Sequence, residues 1–119
     1  MFAEILESIM KKVEGALGAV IMGMDGISIE KRSLDAAIGL EMLAAEYTSL
    51  LRAASCATPE LEAGPLEELI VSTGHQIILV QMVTVEYFIL ALLSHEGNLG
   101  RARFELKKAK YILAKELAF

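Results

Sequence analysis

The stretch Ile77–Leu93, IILVQMVTVEYFILALL, decides the fold class of this chain. Its only polar side chains are Gln81, Thr84 and Glu86. A membrane helix needs about 20 apolar residues, so the run would barely span a bilayer, and Glu86 would lie unfavourably past its middle. Two β-strands, over about Gln76–Met82 and Glu86–Ser94, explain the pattern better, and we expect no integral membrane span.

Side chains of the second strand alternate between two apolar faces. One face carries Tyr87, Ile89, Ala91 and Leu93, and the other carries Phe88, Leu90 and Leu92. Because neither face is polar, both must be covered by protein. A short antiparallel hairpin that is buried on both sides implies helices above and below the sheet.

The first half of the chain supplies one helix and two further strands. An amphipathic helix begins near Phe2 and ends at Gly15. A strand of small apolar residues, Ala16–Met22, follows it. The Asp25-Gly26 pair predicts a two-residue hairpin, because both residues tolerate positive φ, and the strand beyond it ends near Arg32.

The second half completes the set of elements. A long helix, capped by Ser33 or Asp35, runs to about Cys56, and Leu66–Thr73 forms an edge strand. The last helix follows the N-cap residue Asn98. The order α-β-β-α-β-β-β-α predicts an α/β protein of the α+β type, in three α/β/α layers around a five-stranded antiparallel sheet. We expect one domain over residues 1–119, with the second helix covering one sheet face alone.

The second helix has apolar residues on two sides. The stripe predicted to face the sheet consists of Ala36, Leu40, Leu43, Tyr47, Leu50 and Ala54. A second apolar strip consists of Ile38, Met42, Ala45, Ala53 and Cys56. A narrow polar seam between them consists of Glu41, Thr48, Arg52 and Ser55. Covering a sheet needs only the first stripe, so the second predicts an interface with a copy of the chain or another protein, or else deeper burial.

Residues with catalytic or ligand-binding potential form no recognisable site. Gly18–Gly23 has the glycine spacing of a P-loop, but the required Lys and Ser/Thr are missing. His75 and His95 are far apart in sequence, whereas a transition metal collects three or four ligands. Cys56 lacks the surroundings of a nucleophile, and its helical position suggests packing. We expect no catalytic residue, no metal, no cofactor and no enzymatic activity.

The net charge of −5 is distributed unevenly. From Asn98 onward six basic and two acidic residues give +4, and the five bases and fourteen acids before it give −9. The basic residues of the last helix include Arg101, Arg103, Lys107, Lys108 and Lys110. This helix has either a solvated face or a surface for nucleic acid or anionic lipid. We expect no aromatic residues beside these cations of the kind that stack on nucleic-acid bases, which favours the solvated face.

The N-terminus and the single cysteine indicate the cellular compartment. Glu4 and Glu7 interrupt the region where a secretory signal peptide would be basic and then apolar. Cys56 alone excludes an internal disulfide and fits a reducing environment. We therefore expect a cytoplasmic protein, which a partner could recruit to a membrane.

The order of elements and two local sequences resemble the roadblock (dynein light chain) family of small α/β domains. The matching pieces are GALGAVIMGMDGISIEKR at Gly15–Arg32, the long helix after it, and HEGNLGRARFELKKA at His95–Ala109. The resemblance implies a profilin/longin-like roadblock domain. It also implies homodimers or heterodimers in which the third strands pair edge to edge and the second helices pack side by side.

Transferred to this sequence, that interface involves the edge strand and the second helix. The strand residues are Leu66, Glu68, Leu69, Ile70, Val71 and Ser72, and the helix residues are Ile38, Met42 and Ala45. Pro65 would limit hydrogen bonding at the start of this edge. The second apolar strip agrees with this placement.

The resemblance also implies a function without catalysis. Short prokaryotic members of the family bind a gliding-motility GTPase of the Ras-like class and regulate its hydrolysis or exchange. The partners expected here are a second roadblock-type chain and such a GTPase, bound through Glu41, Thr48, Arg52 and Ser55. Arg52 could act as an arginine finger or be a solvated surface residue. A structural adaptor that affects no nucleotide cycle is the alternative, and electrostatic attachment through the last helix is a third.

Overall fold

A computed structural model describes residues 1–57 and 62–118, which form three helices and five strands. The elements are α1 (Phe2–Lys12), β1 (Ala16–Gly23), β2 (Ser28–Ser33), α2 (Leu40–Ala57), β3 (Glu68–Ser72), β4 (Gln76–Met82), β5 (Tyr87–Ser94) and α3 (Leu99–Glu116). The strands form one antiparallel sheet in the order β2-β1-β5-β4-β3. The fold class and element order predicted from the sequence are confirmed.

The sheet separates two apolar cores. Side chains of β5 alternate between them, with Ile89, Ala91 and Leu93 facing α1 and α3, and Phe88, Leu90 and Leu92 facing α2. These six residues are at most 2% exposed. Burial of one large apolar side chain stabilises the folded state by about 1.5–3 kcal/mol. With so many buried side chains, the β4–β5 hairpin therefore contributes a large part of the stability of both cores.

Within residues 1–57 and 62–118, no helix has both the length and the apolar character that crossing a bilayer requires. Gln81, a polar residue near the end of β4, is instead buried in the core, where its Nε2 donates to the carbonyl of Glu67 at 2.9 Å.

The turn between β1 and β2 differs from the predicted two-residue hairpin. Gly23 N donates to Ile27 O at 3.0 Å, which leaves a loop of Met24, Asp25 and Gly26. Gly26 has a φ of +85°, whereas Asp25 does not adopt positive φ. Instead the Asp25 carboxylate accepts a hydrogen bond from Ile27 N at 3.0 Å. This side-chain bond stabilises the longer loop, and a glycine at its left-handed position completes it.

The start of α2 lies later than predicted. The helix begins at Leu40, and the residues after β2 form a turn in which Ala37 N donates to Asp35 Oδ1 at 2.9 Å. Ile38 N donates to the Asp35 carbonyl at 3.0 Å. Asp35 therefore closes an Asx turn rather than capping the helix, because its side chain competes with helical hydrogen bonding.

The buried face of α2 also differs from the predicted stripe. The residues in contact with the sheet are Leu40, Ala44, Thr48 and Leu51, whereas Leu43 and Tyr47 are half-buried and Leu50 is 46% exposed. Ala36 lies outside the helix and is exposed. Small side chains on the contact line bring the helix close to β1, where a Cβ on Gly18 would lie 3.1 Å from Leu40 Cδ2. The rotation of α2 about its own axis therefore follows from its close approach to the sheet, and not from the position of its largest apolar side chains.

The edge strand β3 is shorter than the predicted Leu66–Thr73. Its ladder runs from Glu68 to Ser72, although Met82 N still donates to the Glu67 carbonyl at 2.8 Å. Thr73 belongs to the turn into β4, in which its N donates to Gln76 O at 2.8 Å.

Candidate interaction surface

The exposed side of α2 and the edge strand β3 leave apolar surface uncovered by the described residues. Met42 near the start of α2 is 74% exposed. Leu69 and Val71 of β3 face the α2 side of the sheet and are half-buried. Because α2 packs mainly on β1 and β2, it lies away from this edge. Apolar surface of this kind is characteristic of protein interfaces.

The other residues predicted for the dimer interface have different environments. Ile70 is 40% exposed, and it alternates with Leu69 and Val71 toward the opposite side of the sheet. Ser72 is exposed at the end of β3, and Leu66 is half-buried before its start. On the helix side, Ala45 is half-buried and Ile38 lies in the turn that precedes α2.

Glu68 is held by a residue of α3. The Arg103 guanidinium donates to both of its carboxylate oxygens, from Nε at 3.1 Å and from Nη2 at 2.9 Å. This carboxylate raises the pKa of Arg103 above its usual range. A two-point ion pair restricts both side chains, so it fixes the edge strand relative to the helix below it.

The predicted polar seam of α2 is not a single surface. Thr48 is buried against the sheet, and its hydroxyl donates to the Ala45 carbonyl at 2.7 Å. Glu41 is exposed at the opposite end of the helix from Arg52 and Ser55. The expectation that Thr48 lies in an exposed seam was wrong, because a threonine that hydrogen-bonds its own helix can face an apolar core.

Charged residues of α2 contact the β1–β2 hairpin. The Lys31 ammonium pairs with the Glu41 carboxylate, and this hydrogen bond holds the pKa of Glu41 below its usual range. Arg52 Nη2 donates to the Met24 carbonyl at 2.6 Å. Arg52 therefore ties the end of α2 to the hairpin loop while its side chain remains exposed.

A largely apolar cavity of about 720 Å³ lies at this end of the molecule. Arg52, Ser55 and Cys56 of α2 line it, together with Leu66 and Val85. Cys56 is exposed, so the packing suggested by its helical position is not seen within the described residues, whereas its place in the second apolar strip of α2 agrees with this exposure. Two of the predicted partner-binding residues, Arg52 and Ser55, thus share this cavity, whereas Glu41 and Thr48 are absent from its lining.

The two histidines are neighbours in the fold. His75 and His95 flank the first pair of the β4–β5 ladder, and His95 N donates to His75 O at 3.1 Å. The hairpin predicted from the sequence implies this proximity, which their separation along the chain conceals. In the described part of the chain, no group of three or more His, Cys, Asp or Glu side chains is placed to hold a metal ion.

Two exposed aromatic side chains lie among the basic residues of α3. Phe104 is 59% exposed and Tyr111 is 66% exposed. The cationic groups of Arg101 and Lys108 lie 5.8 and 5.6 Å from the centroid of the Phe104 ring. The expectation that no such aromatic residues lie beside the cations of α3 was therefore wrong. Both aromatics fall outside the periodic Leu/Ala stripe, so the sequence contained the signal.

Comparison with known proteins identifies the family. No family model matches the chain, and neither does any curated protein. Among solved structures, MglC from Myxococcus xanthus is 32% identical over 98% of each chain, with a TM-score of 0.69. A roadblock/LC7 domain from Streptomyces avermitilis is 15% identical over 98% of this chain and 97% of its own, with a TM-score of 0.86. This chain belongs to the roadblock/LC7 family.

The roadblock/LC7 assignment extends over nearly the whole sequence. The gliding protein MglB from Thermus thermophilus has the same fold, with a TM-score of 0.84 over 95% of this chain and 85% of its own. At 18% identity that likeness shows the fold alone. The resemblance inferred from the hairpin and last-helix sequences is confirmed.

Proposed function

We propose that this roadblock/LC7 protein is a non-catalytic dimeric module that binds and regulates a small Ras-like GTPase. The observation that carries the proposal is apolar surface left open on two elements, at the exposed Met42 of α2 and at the half-buried Leu69 and Val71 on the face of β3 that α2 does not cover. A second copy would cover the face of β3 that α2 leaves open and would extend the sheet across its edge. A solved MglB structure has a tetrameric arrangement, which supports self-association for this fold.

Regulation would follow from differential binding. A module that contacts one nucleotide state of the GTPase more strongly shifts the population toward that state without supplying a reacting group. The Arg52 guanidinium donates to the Met24 carbonyl through Nη2, so an arginine-finger role would use its remaining donors or require it to leave this partner. The surface around Arg52 and Ser55 is the partner site we favour.

The test is a binding and turnover measurement with the purified chain. Ras-like GTPases from the same organism, starting with any encoded beside this protein, would be loaded with GDP or with a non-hydrolysable GTP analogue. We expect affinities that differ at least about tenfold, which corresponds to about 1.4 kcal/mol of differential contact. The rates of hydrolysis and of nucleotide release would be measured in the same samples.

Two single substitutions test whether the GTPase binds at Arg52. Arg52→Ala should weaken binding, whereas Lys12→Ala, which removes a cation from the opposite side of the sheet, should leave it unchanged. A loss of hydrolysis with intact binding would assign Arg52 to the reaction itself. Equal affinity for both nucleotide states, with unchanged rates, would contradict the regulatory role.

A structural adaptor is the second candidate, and the edge strand favours it. Ile70 and Ser72 lie on β3, the edge strand of the sheet that the described residues form, and their backbone groups on that edge could pair with another roadblock-type chain. Purification from the native organism as a stable heteromer, without any effect on a nucleotide cycle, would support this role over the first.

A further inference from the structure

The outward side of α3 combines cations with aromatic rings. Its buried residues are Ala102, Glu105, Leu106, Ala109 and Leu113. Helical spacing places Phe104, Lys107, Lys108, Tyr111 and Lys115 on the opposite side. We call these five residues the α3 outer face, and all five are exposed.

Two acidic residues near the α3 outer face are already neutralised. Glu105 is 2% exposed and pairs with Arg101 at 3.0 Å and with Lys108 at 3.2 Å. Glu68 is held by Arg103. Lys108 is partly compensated by Glu105 in turn, so the outer face presents positive charge chiefly through Lys107 and Lys115, although the protein as a whole has a net charge of −5.

Helix α1, which shares this side of the sheet, does not oppose that charge strongly. Its exposed carboxylates are paired, Glu4 with the N-terminal ammonium and Glu7 with Arg32 Nε at 3.0 Å. An anionic surface that contacts α3 would thus lie near carboxylates of α1 that are already paired with cations.

We infer that the α3 outer face binds an anionic lipid surface. Lysines at a bilayer extend their ammonium groups to the phosphates while their stems lie along apolar material. Phe104 and Tyr111 have the amphipathic aromatic character that favours the headgroup region. The combination on one convex helix face therefore complements both the charge and the polarity gradient of a membrane surface.

Nucleic acid fits this face less well. Phe104 and Tyr111 are two helical turns apart, which separates them by about 10 Å along the axis. Successive bases are only about 3.4 Å apart, so the two rings cannot stack on neighbouring bases.

The inference is independent of the proposed GTPase interaction. The α3 outer face and the exposed side of α2 lie on opposite sides of the sheet. A molecule bound to lipid through α3 would leave Met42 directed away from the bilayer, whereas the cavity at Arg52 is also lined by Lys110 of α3, which is not part of the outer face. Failure of lipid binding would not affect the proposed function, and failure of GTPase binding would not affect this inference.

The test is co-sedimentation of the purified full chain with vesicles. Phosphatidylcholine vesicles would be compared with vesicles containing about 30 mol% phosphatidylglycerol. We expect binding only to the anionic vesicles, and we expect it to fall at least about tenfold when NaCl is raised from about 0.1 M to about 0.5 M.

Matched variants separate charge from aromatic contact. Lys107→Gln should weaken binding about fivefold, because each cation near an anionic surface contributes about that factor. The same substitution at Lys31, which pairs with Glu41 on the other side of the molecule, should change nothing. Phe104→Ser with Tyr111→Ser should lower binding at least about fivefold, and circular dichroism would confirm that every variant is folded.

Several outcomes would overturn the inference. No binding to anionic vesicles would exclude it directly, as would equal binding to pure phosphatidylcholine. Equal losses for Lys107→Gln and Lys31→Gln would show a general charge effect without a defined face. Tighter binding to a duplex oligonucleotide than to anionic vesicles would assign the face to nucleic acid.

Discussion

Gly15 and Gly97 are in direct backbone contact. Gly15 follows α1 with a φ of +86°, and a Cβ on it would overlap the Cα of Gly97 and lie 2.8 Å from Ser94 Oγ. The Gly15 carbonyl accepts a hydrogen bond from Ser94 N at 2.8 Å, and the Glu14 carbonyl accepts one from Asn98 N at 2.9 Å. This contact joins the end of α1 to the start of α3, so the two helices cover one sheet face as a unit.

The substitution Gly15→Ala should therefore lower the free energy of unfolding by about 2–4 kcal/mol. The left-handed backbone conformation contributes about 1–2 kcal/mol of this, and the overlap with the Gly97 backbone contributes the remainder. Urea denaturation followed by circular dichroism measures the change.

A second glycine of the same chain provides the control with the opposite sign. Gly100 lies in the first turn of α3, where a Cβ would make an ordinary contact 3.6 Å from Asn98 Oδ1. Gly100→Ala should raise the free energy of unfolding by about 0.5–1 kcal/mol, because alanine favours the helix. Equal effects of the two substitutions would contradict the proposed contact.

The proposed dimer predicts that a charge on either half of its surface produces a monomer. Ile70→Lys or Met42→Glu should raise the dissociation constant at least about thirtyfold, since a two-fold axis places each new charge in the interface twice. Light scattering at several concentrations measures the mass. Ile112→Lys on α3 is the matched control, because Ile112 is 45% exposed and Ile70 is 40% exposed. A folded Ile70→Lys protein of unchanged dimeric mass would place the interface elsewhere.

The parts of the fold that depend on local pattern were predictable from the sequence. The period-two alternation of β5 placed Ile89 and Leu90 on the correct faces, and Asn98 caps α3 by accepting from Arg101 N at 2.9 Å. Such signals involve residues within a few positions of each other, so no knowledge of tertiary contacts is needed.

The features that were mispredicted, or not predicted at all, depend on contacts between distant residues. The rotation of α2 follows from its close approach to Gly18, which turned Thr48 inward and left Leu50 partly exposed. The proximity of His75 and His95 follows from the β4–β5 register. The environment of Arg52 depends on the carbonyl of Met24, on a different element. The candidate site is therefore less predictable than the fold.

Glu41 should titrate below the usual range of a glutamate. Lys31 stabilises its ionised form, so the folded-state pKa is lower than the unfolded value of about 4.3. A depressed carboxyl pKa adds stability that is fully present above the unfolded pKa and is lost as the pH falls through the folded pKa. Carbon-detected NMR titration would show the low value, and Lys31→Met should raise it. A Glu41 pKa that is unaffected by Lys31→Met would contradict the pairing.

The Arg103–Glu68 ion pair should couple α3 to the edge strand energetically. A double-mutant cycle with Arg103→Gln and Glu68→Gln should give a favourable coupling energy, larger than that of a typical surface pair because both carboxylate oxygens are engaged. The coupling should shrink at high salt, since the Arg103 side chain is 49% exposed. Hydrogen exchange should also accelerate for the β3 amides in either single variant, because within residues 1–57 and 62–118 the strand pairs with a neighbour on one side only. Additive single-variant effects, with unchanged exchange in β3, would show that the pair does not fix the edge strand that the proposed dimer uses.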